Sequence, residues 1–178
     1  MLHIMRKADS FIAELDIVAQ VNGKIVGNIV YTKAKILDDS GVNHNVITFG
    51  PISVLPAFQG KGIGSNLIEH TKKKAKELGY KAILIYGDPD YYSRFGFVSA
   101  EKYKICTSDN MYAVALQAIE LYPEALSNIK GRFIEDKIYD IDENAAKEFD
   151  QGFPSKDLLW DLPSQKRFQE LVKMRIPR

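Results

Sequence analysis

Cysteine occurs once in the 178 residues, at Cys106, so no disulfide can form within the chain and a thiolate-rich metal site is excluded. That usage fits a reducing compartment, and the expected location is cytoplasmic. No stretch approaches the roughly 20 consecutive apolar residues that a membrane-spanning helix needs. The opening MLHIMRKADSF also lacks the apolar run of a secretory signal. Neither sign of charge prevails: 24 Lys and Arg stand against 23 Asp and Glu, a formal net charge of +1. A balance this even gives no overall pull toward nucleic acid or an anionic membrane, and neither is an expected partner. The cluster Lys72, Lys73, Lys74 and Lys76 reads as the solvated face of a helix. Internal repeats and low-complexity tracts are absent too. What the chain does have is 46 % hydrophobic residues, enough for one buried core.

The apolar pattern changes period along the chain. Leu2, Met5 and Ile12 are spaced like one face of a helix end. LDIVAQV and KIVGNIVYTKAKIL then read as strands, and the Asn22-Gly23 between them is a strong hairpin signal because both residues tolerate positive φ. A polar loop leads to a third strand, VITFGPISVL. Gly50-Pro51 interrupts it and should bend or splay it, since proline cannot donate to a ladder. A helix follows with Ile63, Leu67, Ile68, Thr71, Ala75 and Leu78 on one face and Gly79 as its stop. KAILIYG is an almost wholly apolar strand, so the two strands flanking the helix should run parallel. A short helical piece, DYYSRF, breaks at Gly96. FVSAEKYKI and NMYAVALQAI read as two further strands, and GRFIEDKIYDID holds another. LPSQKRFQELVKM reads as a last helix, with Ser164 at its cap and Phe168, Leu171 and Val172 facing inward.

Glycine is unevenly spent: three of the 12 fall within Gly60 to Gly64, at the entrance of the main helix. A nucleotide P-loop needs Lys and a hydroxyl residue straight after its last glycine, where this chain has Ser65-Asn66. A dinucleotide fingerprint needs a glycine where Leu67 stands. A loop with no ligand accounts for a turn but not for three glycines opening an amphipathic helix. A strand feeding a glycine loop at a helix N-terminus presents unpaired backbone N–H groups at the positive end of the dipole, a site for an anion such as pyrophosphate.

Gln59-Gly60-Lys61-Gly62-Ile63-Gly64 resembles the Q/R-x-x-G-x-G/A motif of the GNAT superfamily of acyl-CoA-dependent N-acetyltransferases. Tyr92-Ser93-Arg94-Phe95-Gly96-Phe97 is similar to that family's Tyr-x-x-x-Gly-Phe element, and DPDYYSRFGF to a subgroup with a C-terminal extension. The likeness covers roughly residues 14–118. It implies an α/β (α+β) fold with a mixed, mostly antiparallel sheet, a splayed strand and flanking helices. The corresponding division is an acetyltransferase domain over 1–122 and an extension over 123–178 packed on the same domain. It also implies acetyl-CoA as cosubstrate and no metal. Ile52, Ser53 and Val54 would pair with the pantetheine amides. Gln59, Gly60, Lys61, Gly62, Ile63, Gly64 and Ser65 would hold the pyrophosphate, with Lys61 a further phosphate partner. Tyr92 would be the general acid that protonates the leaving thiolate.

The expected reaction is direct acetyl transfer, in a ternary complex, to a small-molecule or peptide amine. Such a reaction needs a neutral amine, donors for the developing oxyanion and a proton for sulfur. A backbone N–H, that of Val54, is the candidate oxyanion donor. Family members often carry a glutamate at the splayed strand, yet VITFGPISVL has no carboxylate. Asp88, Asp90, His44 or an ordered water remain for the base. The alternative is a CoA-binding sensor without transfer. The family pattern also includes a first strand and first helix with no counterpart in this sequence. The expected consequence is a homodimer burying the LDIVAQV edge, the alternative being self-capping by Phe133, Ile134, Ile138 and Tyr139 on a strand and by the last helix.

Overall fold

The computed structural model describes residues 1–155 and 162–178. The extension expected over 123–178 therefore includes a stretch, 156–161, outside the described residues. The N-terminal helical segment, α1 (Leu2–Met5), is a single turn. It does not continue to Ile12, because the chain turns at Ser10 and then runs along the sheet, Phe11 bridging Thr32 and Ile12 N–H donating to Tyr31 O at 3.1 Å.

β1 (Ile17–Val21) and β2 (Lys24–Asp38) form the predicted hairpin. Asn22 and Gly23 both take positive φ, 49° and 78°, as a two-residue turn matched to strand twist requires. β3 (Asn43–Val54) runs antiparallel to β2 and begins inside the predicted polar loop, because Asn43, His44 and Asn45 continue the ladder opposite Leu37, Ile36 and Lys35. α2 (Ile63–Glu77) then crosses over to β4 (Ala82–Tyr86), which is parallel to β3 as expected. Leu78 lies past the end of α2 and is exposed rather than on its buried face. α3 (Pro89–Tyr92) runs into a tight turn that ends on Gly96.

The remaining strands are shorter than the apolar pattern suggested. β5 (Val98–Ser99) and β6 (Ile105–Cys106) are separated by a helical turn where one strand was expected. β7 (Met111–Ala113) and β8 (Leu116–Glu120) replace another, because the chain changes partners there: Val114 N–H bonds Met174 O while Ala115 O accepts from Gly87 N–H. β9 (Gly131–Ile134) is followed by α4 (Glu143–Asp150), α5 (Pro163–Lys173) and β10 (Arg175–Pro177). α5 starts at Pro163 with Leu162 at its cap, so Ser164 sits in the first turn. Leu171 is buried, but Phe168 and Val172 are 57 % and 50 % exposed. The helix is turned by Arg167, one turn before Leu171, which reaches Asp88 and Asp90.

The sheet order is β5-β8-β4-β3-β2-β9-β6, with β1 also on β2, and β10-β7 forms a separate pair. Only β3–β4 and β6–β9 are parallel among the described pairs. One edge of β2 is shared by three segments: β1 over Lys24 to Ile29, residues 10–12 over Tyr31 to Lys33, and β9 over Lys35 to Asp38. The outer edge of β1 carries no partner strand among the described residues.

Each sheet face has its own core. Under α2 lie Ile29, Tyr31, Ile47, Phe49, Ile83 and Ile85, packed on Leu67, Ile68 and Ala75. The larger aliphatic side chains there each contribute about 1.5–3 kcal/mol by burial. On the opposite face Ala34, Ile36, Val46, Leu84 and Leu116 meet Phe133 of β9.

Candidate active site

Gly50 and Pro51 put one extra residue into β3 opposite Val30, so the register with β2 shifts between Ile29↔Ile52 and Tyr31↔Phe49. On the other side β3 bridges β4 only at Ile47↔Ile83 among the described pairs. Beyond that point the strands separate into a fork. Ile52, Ser53 and Val54 stay paired with Ile29, Asn28 and Gly27 on the β2 side. Toward β4 they have no sheet partner among the described residues. Such a strand can pair with an extended ligand through its main chain.

At the tip of the β3 prong the glycine loop opens into a cavity of about 400 Å³, lined by Val54, Phe58, Gln59, Gly60, Gly62, Ile63, Gly64, Ser65, Tyr91 and Arg94. Gly60 and Gly62 take left-handed φ, 72° and 79°, and nothing lies within 4 Å of where a Cβ would project from either. Gly62 is the N-cap of α2 and brings no side-chain cap; the first intrahelical bond runs from Asn66 N–H to Gly62 O. The N–H groups of Ile63, Gly64 and Ser65 therefore face the cavity end of a helix of 15 residues. That is an anion cradle made of backbone.

Side chains brace the cradle. Gln59 Nε2 donates to Val54 O at 3.0 Å, fixing the loop to the strand end. Ser53 Oγ donates to Asn28 Oδ1 at 2.6 Å. Lys61 does not line the cavity: its ammonium donates to Ala57 O at 3.1 Å and sits 5.2 Å above the Phe58 ring. The cation at the rim is Arg94, stacked 4.7 Å over the Tyr91 ring. Sequence reading passed over both, although Tyr91 and Arg94, three apart in a helical turn, share one face.

Tyr92 is on the α2 side of the sheet. Its ring packs against Phe49, Phe97 and Tyr91 at centroid distances of 5.9, 5.8 and 5.0 Å, and lies so close over Gly87 that a Cβ there would overlap it. Burial, with a smaller push from Tyr91, raises the phenol to about 12. It stays protonated at neutral pH, as a proton donor must.

The other candidates are engaged elsewhere. Asp88 caps α3 through Asp90 N–H and pairs with Arg167 at 3.1 Å, which holds its carboxyl below the usual range; Asp90 meets Arg167 at 2.7 Å. His44 pairs with Asp38 at 2.8 Å, at the opposite end of β3 from the fork. Burial raises the Cys106 thiol, which donates to Gly131 O. Among the described residues no group of three or more His, Cys, Asp or Glu could hold a metal. Asn28 escaped sequence reading altogether. Its Nδ2 is buried beside the splayed segment with no hydrogen-bond partner among the described residues.

The family model for the acetyltransferase (GNAT) domain matches residues 8–99. The chain is similar to two uncharacterized N-acetyltransferases of Escherichia coli strain K12. With YjhQ it shares 33 % identity over 47 % of this chain and 45 % of that protein, so the match spans under half of that relative. With YhbS it shares 25 % identity over 74 % of this chain and 76 % of that one. The crystal structure of Escherichia coli YhbS in complex with CoA has a TM-score of 0.70 at 26 % identity, covering 79 % of this chain and 76 % of that one. A GNAT family acetyltransferase from Brucella melitensis in complex with acetyl-CoA has a TM-score of 0.53 at 27 % identity, covering 68 % and 66 %.

Proposed function

The chain belongs to the GNAT acetyltransferase family, and from that premise we propose that it moves an acetyl group from acetyl-CoA to a primary amine while both are bound. The observation that carries this reading is the junction of a forked strand with an uncapped, glycine-opened helix end. Together they suit a molecule that is an extended diamide at one end and a pyrophosphate at the other. When bound, acetyl-CoA supplies the activated thioester.

The residues divide that work. Backbone groups of Ile52, Ser53 and Val54 take the pantetheine amides, and the Val54 N–H is the candidate donor to the thioester oxygen. Gly60 to Ser65 take the pyrophosphate through main-chain N–H groups, and Arg94 takes the part assigned to Lys61. Tyr92 hydrogen-bonds the sulfur as negative charge develops and gives up its proton as the thiol leaves. The acceptor is a small molecule or a peptide amine. A homodimer joined near the free edge of β1 is part of the same reading, and sedimentation equilibrium showing a monomer at micromolar concentration rejects it.

A second reading, a CoA-binding sensor without transfer, draws on the lack of any carboxylate on the splayed strand. One experiment separates them: incubate the protein with acetyl-CoA and spermidine, lysine, tyramine or a short peptide, and measure N-acetylated product by mass spectrometry. Product with any acceptor supports transfer. Tight CoA binding with no product from any of them favours the sensor.

A further inference from the structure

Across the sheet from Tyr92, polar groups gather where the fork opens. Thr32 is buried, and its hydroxyl lies 3.1 Å from the Tyr139 hydroxyl, which also donates to Gly50 O at 3.4 Å, at the bulge where β3 begins to leave β4. Tyr86 ends the β4 prong and packs its ring 6.0 Å from that of Phe133. Glu135 is two residues past Phe133 and so returns to the same face. Burial raises the Tyr86 and Tyr139 phenols, and the Glu135 charge adds to the rise in both. Glu135 thus lies in the same neighbourhood as Tyr86, at the end of the β4 prong, and Tyr139, which is hydrogen-bonded to the β3 prong at Gly50. It is half-buried, and its carboxyl has no hydrogen-bond or ion-pair partner among the described residues. A carboxylate brought out of water without a partner is costly for folding.

We propose that Glu135 is the general base that takes the proton from the acceptor amine. This rests on the acetyltransferase reading. Tyr92 and Glu135 lie on opposite faces of one sheet, and the fork is the opening through which groups on both faces can act on one bound pair of substrates. Glu135 accepts one proton from the ammonium. The freed nitrogen lone pair forms the C–N bond, the C–S bond breaks with its electron pair on sulfur, and Tyr92 supplies the sulfur proton. The remaining surplus proton on nitrogen returns through solvent to the Tyr92 phenolate, and Glu135 releases its proton to water, so one proton appears in solution per turnover.

The surroundings suit a base. Burial, with the nearby Asp140 charge, pushes the Glu135 carboxyl up to about 7. Lys33, Lys35, Lys137 and Asp136 border the adjoining groove, while Asp109, in the turn before β7, and Arg175, on β10, act on Tyr86. The charge that weighs on Glu135 is nonetheless that of Asp140, not of a lysine. A carboxylate near 7 is a stronger proton acceptor than an ordinary one and is still substantially ionised at neutral pH.

The test is Glu135→Gln in the full chain, with Glu135→Asp as the conservative control, using acetyl-CoA and whichever amine of the panel above the wild type acetylates best. The expected result is a loss of about 10²–10⁴-fold in kcat, partial recovery in the Asp variant, and unchanged CoA affinity by calorimetry. The wild-type kcat should fall below about pH 7, and that acid limb should vanish in the Gln variant. A carboxyl ¹³C resonance titrating near 7, missing from Glu135→Gln, is the readout independent of turnover. Wild-type kcat in Glu135→Gln, or the same acid limb, overturns the assignment while leaving the acetyltransferase reading intact. If the variant does not fold, the wild-type protein decides, since the absence of any acid limb between pH 6 and 8 at saturating amine overturns it. If the wild type binds acetyl-CoA yet acetylates no amine, the functional reading fails and the base assignment falls with it.

Discussion

The two ends of the fork are built from different material. The proposed cofactor end is main chain: a helix terminus, three glycines and a strand with one free side. The proposed acceptor end is side chain, drawn from β2, β4 and the segment after β9: Asn28, Tyr86, Glu135 and Tyr139. A main-chain site is fixed by conformation and is damaged by whatever occupies its space or strains its φ. A side-chain site is fixed by tertiary placement and is damaged by single truncations. The first kind suits a constant ligand and the second an acceptor whose identity differs between proteins.

Substitutions can break or sharpen that contrast. The largest effect is expected between the two ends, at Tyr92: Tyr92→Phe should lower kcat by about 10²–10⁴-fold with CoA affinity unchanged. Wild-type turnover, with chemistry shown to limit the rate, would make the tyrosine a packing residue. Next is the main-chain end. Gly62→Val forces a β-branched residue into a left-handed backbone and puts a Cβ into the cradle, so CoA affinity by calorimetry should drop by at least about tenfold, or about 1.4 kcal/mol. Unchanged affinity would remove the cradle from the argument.

Glu135 offers a stability test of the side-chain end. Its carboxyl titrates near 7 when folded against an ordinary value of 4.5, so between those pH values the native state holds a proton that the unfolded chain has released. Stability therefore falls as pH rises through that window. Glu135→Gln lacks the penalty and should be more stable than wild type at pH 8 by up to about 2 kcal/mol, the gap closing below about pH 4. Thermal melts at the two pH values check it, and equal melting at pH 8 would show that the carboxylate carries no penalty. Smaller again is Arg94→Ala, which removes a charge from the rim but leaves the main chain in place; a loss in CoA affinity of about tenfold or less is expected. A loss greater than that for Gly62→Val would mean that side chains hold the phosphate after all. The least effect belongs to Arg167→Ala, which frees Asp88 and Asp90 at the surface and should shift the midpoint of a urea melt only slightly.

The same contrast decides what could be read from the chain alone. The hairpin at Asn22-Gly23, the interruption at Gly50-Pro51, the glycine loop and the crossover helix are local devices, written in short stretches whose backbone demands are visible without tertiary knowledge. Glu135 and Asn28 belong to no local pattern, because only the addition of β9 to β2 and the β2–β3 register bring them beside the fork. The last helix shows the limit of periodicity. Phe168, Leu171 and Val172 do mark an apolar stripe, but the ion pairs of Arg167 with Asp88 and Asp90 turn most of it outward. Lys61 similarly stood in the loop as the obvious cation, and a cation–π contact with Phe58 folds it away.

The shared edge of β2 has a consequence for biosynthesis. β2 ends at Asp38, whereas the strand that covers its far half, β9, begins at Gly131. At a synthesis rate of about 5–20 residues per second, a ribosome needs about 5–20 s to supply the covering strand. Throughout that interval the nascent hairpin presents a ladder of unpaired main-chain groups to its neighbours on the polysome. The bare stretch is the one that carries Lys35 and Asp38, and charged side chains at a strand edge discourage pairing with another chain. Those residues would then act before the protein is complete, and replacing Lys35 by valine should show as aggregation during translation while leaving the folded protein little changed.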